Sequence, residues 1–208
     1  MAKSTTGATV KLTDLRAILQ YVPQFREKTF IIAVDAGIVT DENFANILVD
    51  ISLLGSLNIR VVVVHGAAEQ IKALAQKQNV QPSNLDGTGV TDGATLQLAI
   101  EAANRVMHEI LGGLSANDLG AATTNAVTTV PLGIIHGVDH LFTGKVEQID
   151  TTLLEHLLNQ GIVPVVSPIG FSTEGKAYRV NSDNVALAVA IALNAAKLIF
   201  ITPQDGLH

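Results

Sequence analysis

Apolar residues recur at two spacings along this chain, and the two spacings alternate. Positions three and four residues apart, such as Leu15, Ile18 and Leu19, predict amphipathic helices. Short β-branched runs, such as residues 29–34 (TFIIAV) and 59–64 (IRVVVV), predict buried strands. The predicted helices are 12–27, 41–57, 67–79, 95–114, 151–160 and 184–194, and the predicted strands are 29–34, 59–64, 122–131, 162–167 and 197–202, with a strand or hairpin at 141–149.

This alternation favours an α/β domain, a three-layer sandwich with a mainly parallel central sheet and right-handed crossovers. Pro23 predicts a kink or break near residues 21–22, and Gly112 and Gly113 predict the end of helix 95–114. Residues 1–11 are small and polar, which predicts a mobile arm. The last predicted strand lacks a following helix to cover it. We therefore expect a covering partner chain or, in preference, a longer parent protein.

Composition narrows the classes of function. The net charge is −6 and no basic cluster is present, which argues against a nucleic-acid partner. There is no cysteine, so disulfides, thiolate nucleophiles and Cys-ligated zinc are excluded. The N-terminus has no signal-peptide core and no run reaches the ~18 apolar residues of a membrane span, which predicts a cytoplasmic protein with no membrane partner. The six histidines have no recognised metal spacing, so no metal site is predicted.

Two predicted strands end in turns of small residues, at 35–37 and 65–68. Free N–H groups at such turns bind anions in open α/β sheets, and the second turn, with Gly66 and Ala67, is the better candidate. The alternative is that these residues only allow tight strand–helix packing. His65 is either a catalytic base or, in preference, a hydrogen-bonded structural residue.

Two further segments combine polar side chains with predicted helix starts. Asp92 is expected to cap the helix at 95–114, either alone or while also contributing to a site. Arg179, Asn181, Ser182 and Asp183 crowd one loop. They are either a polar-ligand site or a capping cluster with a solvated arginine.

The order of these motifs resembles the amino-acid kinase family, most closely the kinase-like domain of N-acetylglutamate synthases. Three stretches show the likeness: residues 15–34, residues 47–71 and GTGVTDGATL at 87–96. The downstream stretches GVDHLFTGKVEQID and SPIGFSTEG are more similar to the synthases than to the acetylglutamate kinases. The resemblance covers about residues 12–206. It implies an N-lobe at about 28–180 and the start of a truncated C-lobe at about 181–208.

The departures from the kinase pattern are concentrated where the family holds phosphate and substrate. They are Ala33 in place of a lysine, Asp35 and Ala36 in place of two glycines, Ala67 and Ala68 in place of two glycines of the second turn, Gly89 in place of a substrate-binding arginine, and Arg179 in place of an asparagine. Because phosphoryl transfer depends on positioned positive charge, these changes predict a degenerate kinase site with no catalytic residue.

The resemblance implies a regulatory domain that senses L-arginine and assembles a homo-oligomer through its N-terminal helix. Tyr21 and Lys197 match arginine-pocket positions of the family, and Gly66, Ala67, Asn181 and Asp183 are the remaining ligand-binding candidates. On this reading the chain needs no cofactor and is itself inactive, while the parent protein is an acetyltransferase. The alternatives are a divergent acetylglutamate kinase, which would need ATP and Mg, and a scaffold that binds no small ligand.

Overall fold

The computed structural model describes residues 22–203, so the predicted arm at 1–11 and most of the predicted N-terminal helix, with the break near Tyr21, lie outside the described residues. Residues 22–25 are helical, and Ile38–Thr40 form a 3-10 helix. The longer helices are α1 (Phe44–Ser56), α2 (Ala68–Gln78), α3 (Gly93–Ser115), α4 (Thr151–Asn159) and α5 (Ser182–Ala192). The strands are β1 (Thr29–Val34), β2 (Arg60–His65), β3 (Ala121–Thr124), β4 (Val127–Pro131), β5 (Ile134–Ile135), β6 (Val138–Asp139), β7 (Gly144–Ile149), β8 (Val163–Val166), β9 (Ile169–Phe171), β10 (Ala177–Arg179) and β11 (Lys197–Ile201).

A five-stranded parallel sheet forms the middle layer, in the order β11-β1-β2-β8-β3. Successive side chains of a strand point to opposite faces, so each β-branched run supplies both faces with core residues. Val61 and Val63 of β2 pack towards α1, α2 and α3. Val62 and Val64 pack towards α4 and α5. This arrangement confirms the predicted three-layer α/β sandwich with a parallel central sheet.

A second sheet of mixed direction, β10-β9-β4-β7, lies beside the first. The single strand predicted at 122–131 was wrong, because the chain forms two strands that belong to different sheets. β3 pairs with β8 in the central sheet, whereas β4 pairs with β7 and β9 in the second sheet. Thr and Val suit a strand on both sides of Asn125 and Ala126, and no glycine or proline marks the boundary.

The segment predicted as a strand or hairpin at 141–149 forms a strand only from Gly144. The preceding β5–β6 hairpin was not predicted. Its two-residue loop is His136-Gly137, and both residues have positive φ (50° and 80°). That conformation is the one that two-residue hairpin loops require, and glycine adopts it readily.

The predicted end of the third helix at Gly112 and Gly113 was wrong, since α3 continues through both glycines to Ser115. Gly113 lies against the core residue Leu48, so α3 approaches α1 closely at this point. A methyl group on Gly112 would meet no heavy atom within 4 Å, but one on Gly113 would overlap Leu48 Cδ1.

The two adjacent glycines are therefore expected to respond in opposite directions to the same substitution. Gly112→Ala should raise the free energy of unfolding by about 0.5–1 kcal/mol, because alanine loses less backbone entropy in a helix. Gly113→Ala should lower it, because Leu48 must leave its position in a close-packed core. Urea denaturation of both variants checks this. Equal stabilisation by the two substitutions would contradict the packing described for α3.

Candidate functional site

A small cleft lies at the carboxyl edge of the central sheet. The chain leaves β1 and β2 towards the face that carries α1, α2 and α3, and it leaves β8 towards the second sheet and then α5. The switch in direction therefore falls between β2 and β8, the place where open α/β sheets bind ligands. Gly66, after β2, and Pro168, after β8, both line the cleft, which has a volume of about 130 Å³.

The turns after β1 and β2 meet at this edge. Val34 lies opposite His65 in the parallel ladder, and the Gly66 N–H donates to Val34 O at 2.9 Å. A Cβ on Gly66 would lie 3.4 Å from both Ala36 N and Ser182 Oγ. Gly66 thus brings the β1 turn and the start of α5 close together. The other lining residues are Asp35, Ala67, Ala68, Ile71, Leu85, Asp86, Arg179, Val180, Asn181 and Asp183.

Three carboxylates line the cleft: Asp35, Asp86 and Asp183. Asp35 accepts a hydrogen bond from the Gly37 N–H at 2.8 Å, which fixes the turn after β1. Burial raises the pKa of Asp183, and the negative charge of Asp35 raises it further. Hydrogen bonds from Thr88, above all from its backbone N–H, lower the pKa of Asp86 in spite of partial burial. The cleft therefore disfavours additional negative charge.

Arg179 is the one cationic side chain among the lining residues, and its guanidinium points into the protein. The residue is only 3% exposed. Nη1 donates to Asn84 O at 2.9 Å and to Asn84 Oδ1 at 3.1 Å, and Nη2 donates to Leu85 O. Burial lowers its pKa to about 10, and the charge of Asp86 opposes that shift. The expectation of a solvated arginine was wrong, because backbone carbonyls use its donors.

Asn181 is the N-cap of α5. Its Oδ1 accepts from the N–H groups of Asp183 and Asn184, both at 3.1 Å, and its Nδ2 donates to Asp86 O at 3.0 Å. The capping interpretation of this loop therefore describes Asn181 correctly. The side chain uses both its acceptor and a donor within the protein, so it has little hydrogen-bonding capacity left for a ligand.

The segment from Gly89 to Asp92 is fixed beside the cleft without lining it. Thr91 is fully buried, and the Thr143 hydroxyl lies 2.8 Å from Thr91 Oγ1 and 2.6 Å from Gly89 O. Asp92 caps α3 by accepting from the Thr95 N–H at 2.7 Å, as predicted. Gly89 is therefore part of an internal hydrogen-bonded segment and is not brought together with Asp35 or Gly66.

His65 is fully buried at the end of β2. Its Nδ1 lies 3.0 Å from Gly66 O, which assigns the proton to Nδ1, and Nε2 has no hydrogen-bond partner in the described part of the chain. Burial lowers its pKa from 6.5 to about 4, so the ring is neutral at physiological pH. It does not line the cleft, and its geometry fits the structural interpretation rather than that of a catalytic base.

Of the two effector candidates, Tyr21 lies outside the described residues, and Lys197 is exposed at the start of β11. The Lys197 ammonium lies 5.6 Å from the ring centroid of Phe25, within the range of a cation–π interaction. Phe25 in turn packs edge to face on Phe30 at 5.4 Å. The Phe25 ring therefore packs partly on its own domain.

The structure therefore brings together seven of the predicted site residues in the cleft, whereas Ala33, Gly89 and Lys197 lie elsewhere. The seven are Asp35, Ala36, Gly66, Ala67, Arg179, Asn181 and Asp183. Ala33 lies deeper on β1 and is buried, and it lines a small neighbouring cavity together with Asp35 and Asp183. Asp86 and Leu85 were not predicted from the sequence. The residues Asp-Gly-Thr at 86–88 are typical of a turn and could have indicated a loop at this position. Within residues 22–203 no group of three histidines or carboxylates could hold a metal ion.

A parallel sheet with helices on both faces and a cleft at its carboxyl edge defines the class of α/β proteins that bind small ligands beside strand ends. The family model "Amino acid kinase family" matches residues 28–208. The chain belongs to the amino acid kinase family.

Within the described residues no helix is both long enough and apolar enough to span a bilayer.

The relatives include bacterial amino-acid acetyltransferases. The one from Vibrio cholerae is 34% identical over 209 residues, which cover 96% of this chain and 47% of the relative. The one from Ralstonia nicotianae is 35% identical over 202 residues, which cover 93% of this chain and 45% of the relative. The chain thus spans about half the length of these relatives.

The similar solved structures include N-acetylglutamate synthase from Neisseria gonorrhoeae in complex with coenzyme A and L-arginine. It is 28% identical with a TM-score of 0.87, over 96% of this chain and 49% of that chain. An isopentenyl phosphate kinase shares the fold alone, at 16% identity and a TM-score of 0.57 over 86% of this chain and 75% of that chain. The chain is therefore a kinase-like domain of the type found in N-acetylglutamate synthases.

Proposed function

We propose that this chain is the regulatory, kinase-like part of an N-acetylglutamate synthase, in which it binds L-arginine as an effector, supports assembly of the oligomer and has no kinase activity. The central observation is the charge of the cleft. Three carboxylates line it, and the one cation among its lining residues is turned inward to Asn84 and Leu85. The terminal phosphate of a nucleotide would meet negative charge where phosphoryl transfer needs positive charge.

The alternative function is a divergent acetylglutamate kinase that uses ATP and Mg. The geometry disfavours it, because Asp35 at the end of β1 and Asp183 in the first turn of α5 line the place where the phosphoryl group would sit. The lysine position is Ala33, which is buried. An assay with N-acetyl-L-glutamate and Mg-ATP separates the two functions. We expect no turnover above background from the wild type or from Ala33→Lys, since Asp35 and Gly89 remain in the variant. Turnover in either protein would overturn the regulatory assignment.

Support for an arginine effector comes from the L-arginine complex of the Neisseria synthase and from the position of Lys197. Lys197 is exposed, and its ammonium is held by the Phe25 ring near the predicted N-terminal helix.

If that helix also joins subunits, removal of residues 1–27 should lower the oligomer mass measured by light scattering.

Replacement of the effector-site lysine is expected to weaken arginine binding in the natural full-length protein. Lys197→Met removes the ammonium but keeps an unbranched side chain of similar length, and we expect at least a tenfold increase in the Kd for L-arginine, or about 1.4 kcal/mol. Isothermal titration calorimetry measures this. Lys145→Met, on the exposed side of β7, is the matched control and should bind normally. Wild-type affinity in Lys197→Met, or no binding of L-arginine by the wild type, would contradict the proposal.

A further inference from the structure

Residues 84–88 form a loop, the 84–88 loop, that makes one wall of the cleft. Leu85 and Asp86 of this loop face the turn after β2 across the cleft. The loop has no helical or strand hydrogen bonding of its own. Its position therefore depends on the side chains that bind it from neighbouring elements.

Arg179, the last residue of β10, makes the principal connection. The guanidinium contacts the loop at three acceptors, which are two atoms of Asn84 and the carbonyl of Leu85. No carboxylate lies within ion-pair distance of it in the described part of the chain. A buried arginine is costly unless its donors are paired, so release of the loop would leave the guanidinium without these partners.

Asn84 extends this connection to the rest of the domain. Its Nδ2 donates to Val90 O and to Thr91 Oγ1, the latter at 3.0 Å, while its Oδ1 also accepts from the Gly87 N–H at 2.8 Å. Thr91 is joined in turn to Thr143. Buried networks of this type act as a unit, because the loss of one member leaves several groups unsatisfied.

We propose that Arg179 is a positioning residue that straps the 84–88 loop to β10 and thereby fixes one wall of the cleft. The cleft bounded by this wall measures about 130 Å³, whereas pockets that hold small molecules measure roughly 300 Å³ or more. Release of the strap would therefore enlarge the cleft, which the three carboxylates would still line. This inference goes beyond the proposed function, since it stands whether or not L-arginine binds elsewhere on the protein.

Hydrogen–deuterium exchange tests the strap on the full-length protein. In Arg179→Met, the amides of Gly87 and Thr88 should exchange about tenfold faster than in the wild type, while the amides of β1 and β2 keep their wild-type rates. Arg179→Lys should show a smaller but clear acceleration, because an ammonium cannot reproduce the planar fork of a guanidinium. Arg105→Met, which removes an exposed ion pair on α3, is the control and should leave the 84–88 loop unchanged.

A thiol probe measures the opening of the cleft itself, even if Arg179→Met fails to fold. The chain has no cysteine, so Ala67→Cys supplies a single thiol in the cleft wall. The Ala67 side chain is 4% exposed. The thiol of Ala67→Cys should therefore react slowly with a maleimide when Arg179 is present, and several times faster when Arg179→Lys is added. The proposal is overturned if the rates are equal, or if exchange accelerates uniformly through β1, β2 and the 84–88 loop.

Discussion

A fall in pH from 6.5 to 4 is expected to reduce the free energy of unfolding by about 3 kcal/mol through His65 alone. Burial lowers the pKa of this ring from 6.5 to about 4 in the folded protein. Between pH 6.5 and 4, His65 is mostly protonated in the unfolded chain and mostly neutral in the folded protein. The stability is therefore fully present above pH 6.5, falls as the pH decreases, and is completely lost below about pH 4.

The physical reason is the position of the ring. His65 ends the central strand β2, is fully buried, and has no partner for Nε2 in the described part of the chain. A proton added at Nε2 would place a charge in the core, and no carboxylate of the described residues forms an ion pair with this ring, so the change is expensive for the fold.

Urea denaturation at several pH values, with wild type and His65→Gln in parallel, isolates this contribution. Carboxyl groups titrate in both proteins and cancel in the difference, so the variant should lose about 3 kcal/mol less than the wild type between pH 6.5 and 4. His108→Gln, at an exposed position on α3, should keep the wild-type slope. Parallel slopes for wild type and His65→Gln, or an NMR titration of His65 near pH 6.5, would refute the account.

The layers of the fold could be predicted from the sequence because its periodicities are strong. Residues 29–34 and 59–64 are short apolar runs rich in β-branched residues, and the structure forms β1 and β2 there within one residue. The errors arose where local composition leaves two outcomes open. Gly112 and Gly113 suit both a helix end and a close helix–helix contact, and only the position of Leu48 on α1 decides between them.

The candidate site was predictable in its location but not in its orientation. The carboxyl ends of parallel strands meet at one edge, so Asp35 and Gly66 had to lie near each other. The direction of the Arg179 side chain could not be inferred, because two of its three acceptors are backbone carbonyls, at Asn84 and Leu85, some 95 and 94 residues away in sequence. Every residue has a backbone carbonyl, so the residue type does not indicate which carbonyl accepts a hydrogen bond. The same holds for the contact between Asn181 and Asp86 O.

Gly170→Ala is expected to lower the free energy of unfolding by about 1–3 kcal/mol, because the second sheet leaves no room for a side chain there. Gly170 is the middle residue of β9 and pairs with Tyr178 of β10. An added Cβ would overlap Thr129 Cγ2 and lie 3.0 Å from Val127 O. Thr129 is fully buried and Val127 nearly so, so neither can move aside without disturbing β4.

The overlapping methyl group can be removed separately, which makes the explanation testable. Thr129→Ser deletes Cγ2 but keeps the hydroxyl, so Gly170→Ala should cost less in that background than in the wild type. The rescue should be partial, because Val127 O belongs to the backbone and remains close. Urea unfolding of the four proteins gives the coupling free energy. A coupling free energy of zero would mean that contact with the Thr129 methyl group does not cause the loss of stability in Gly170→Ala.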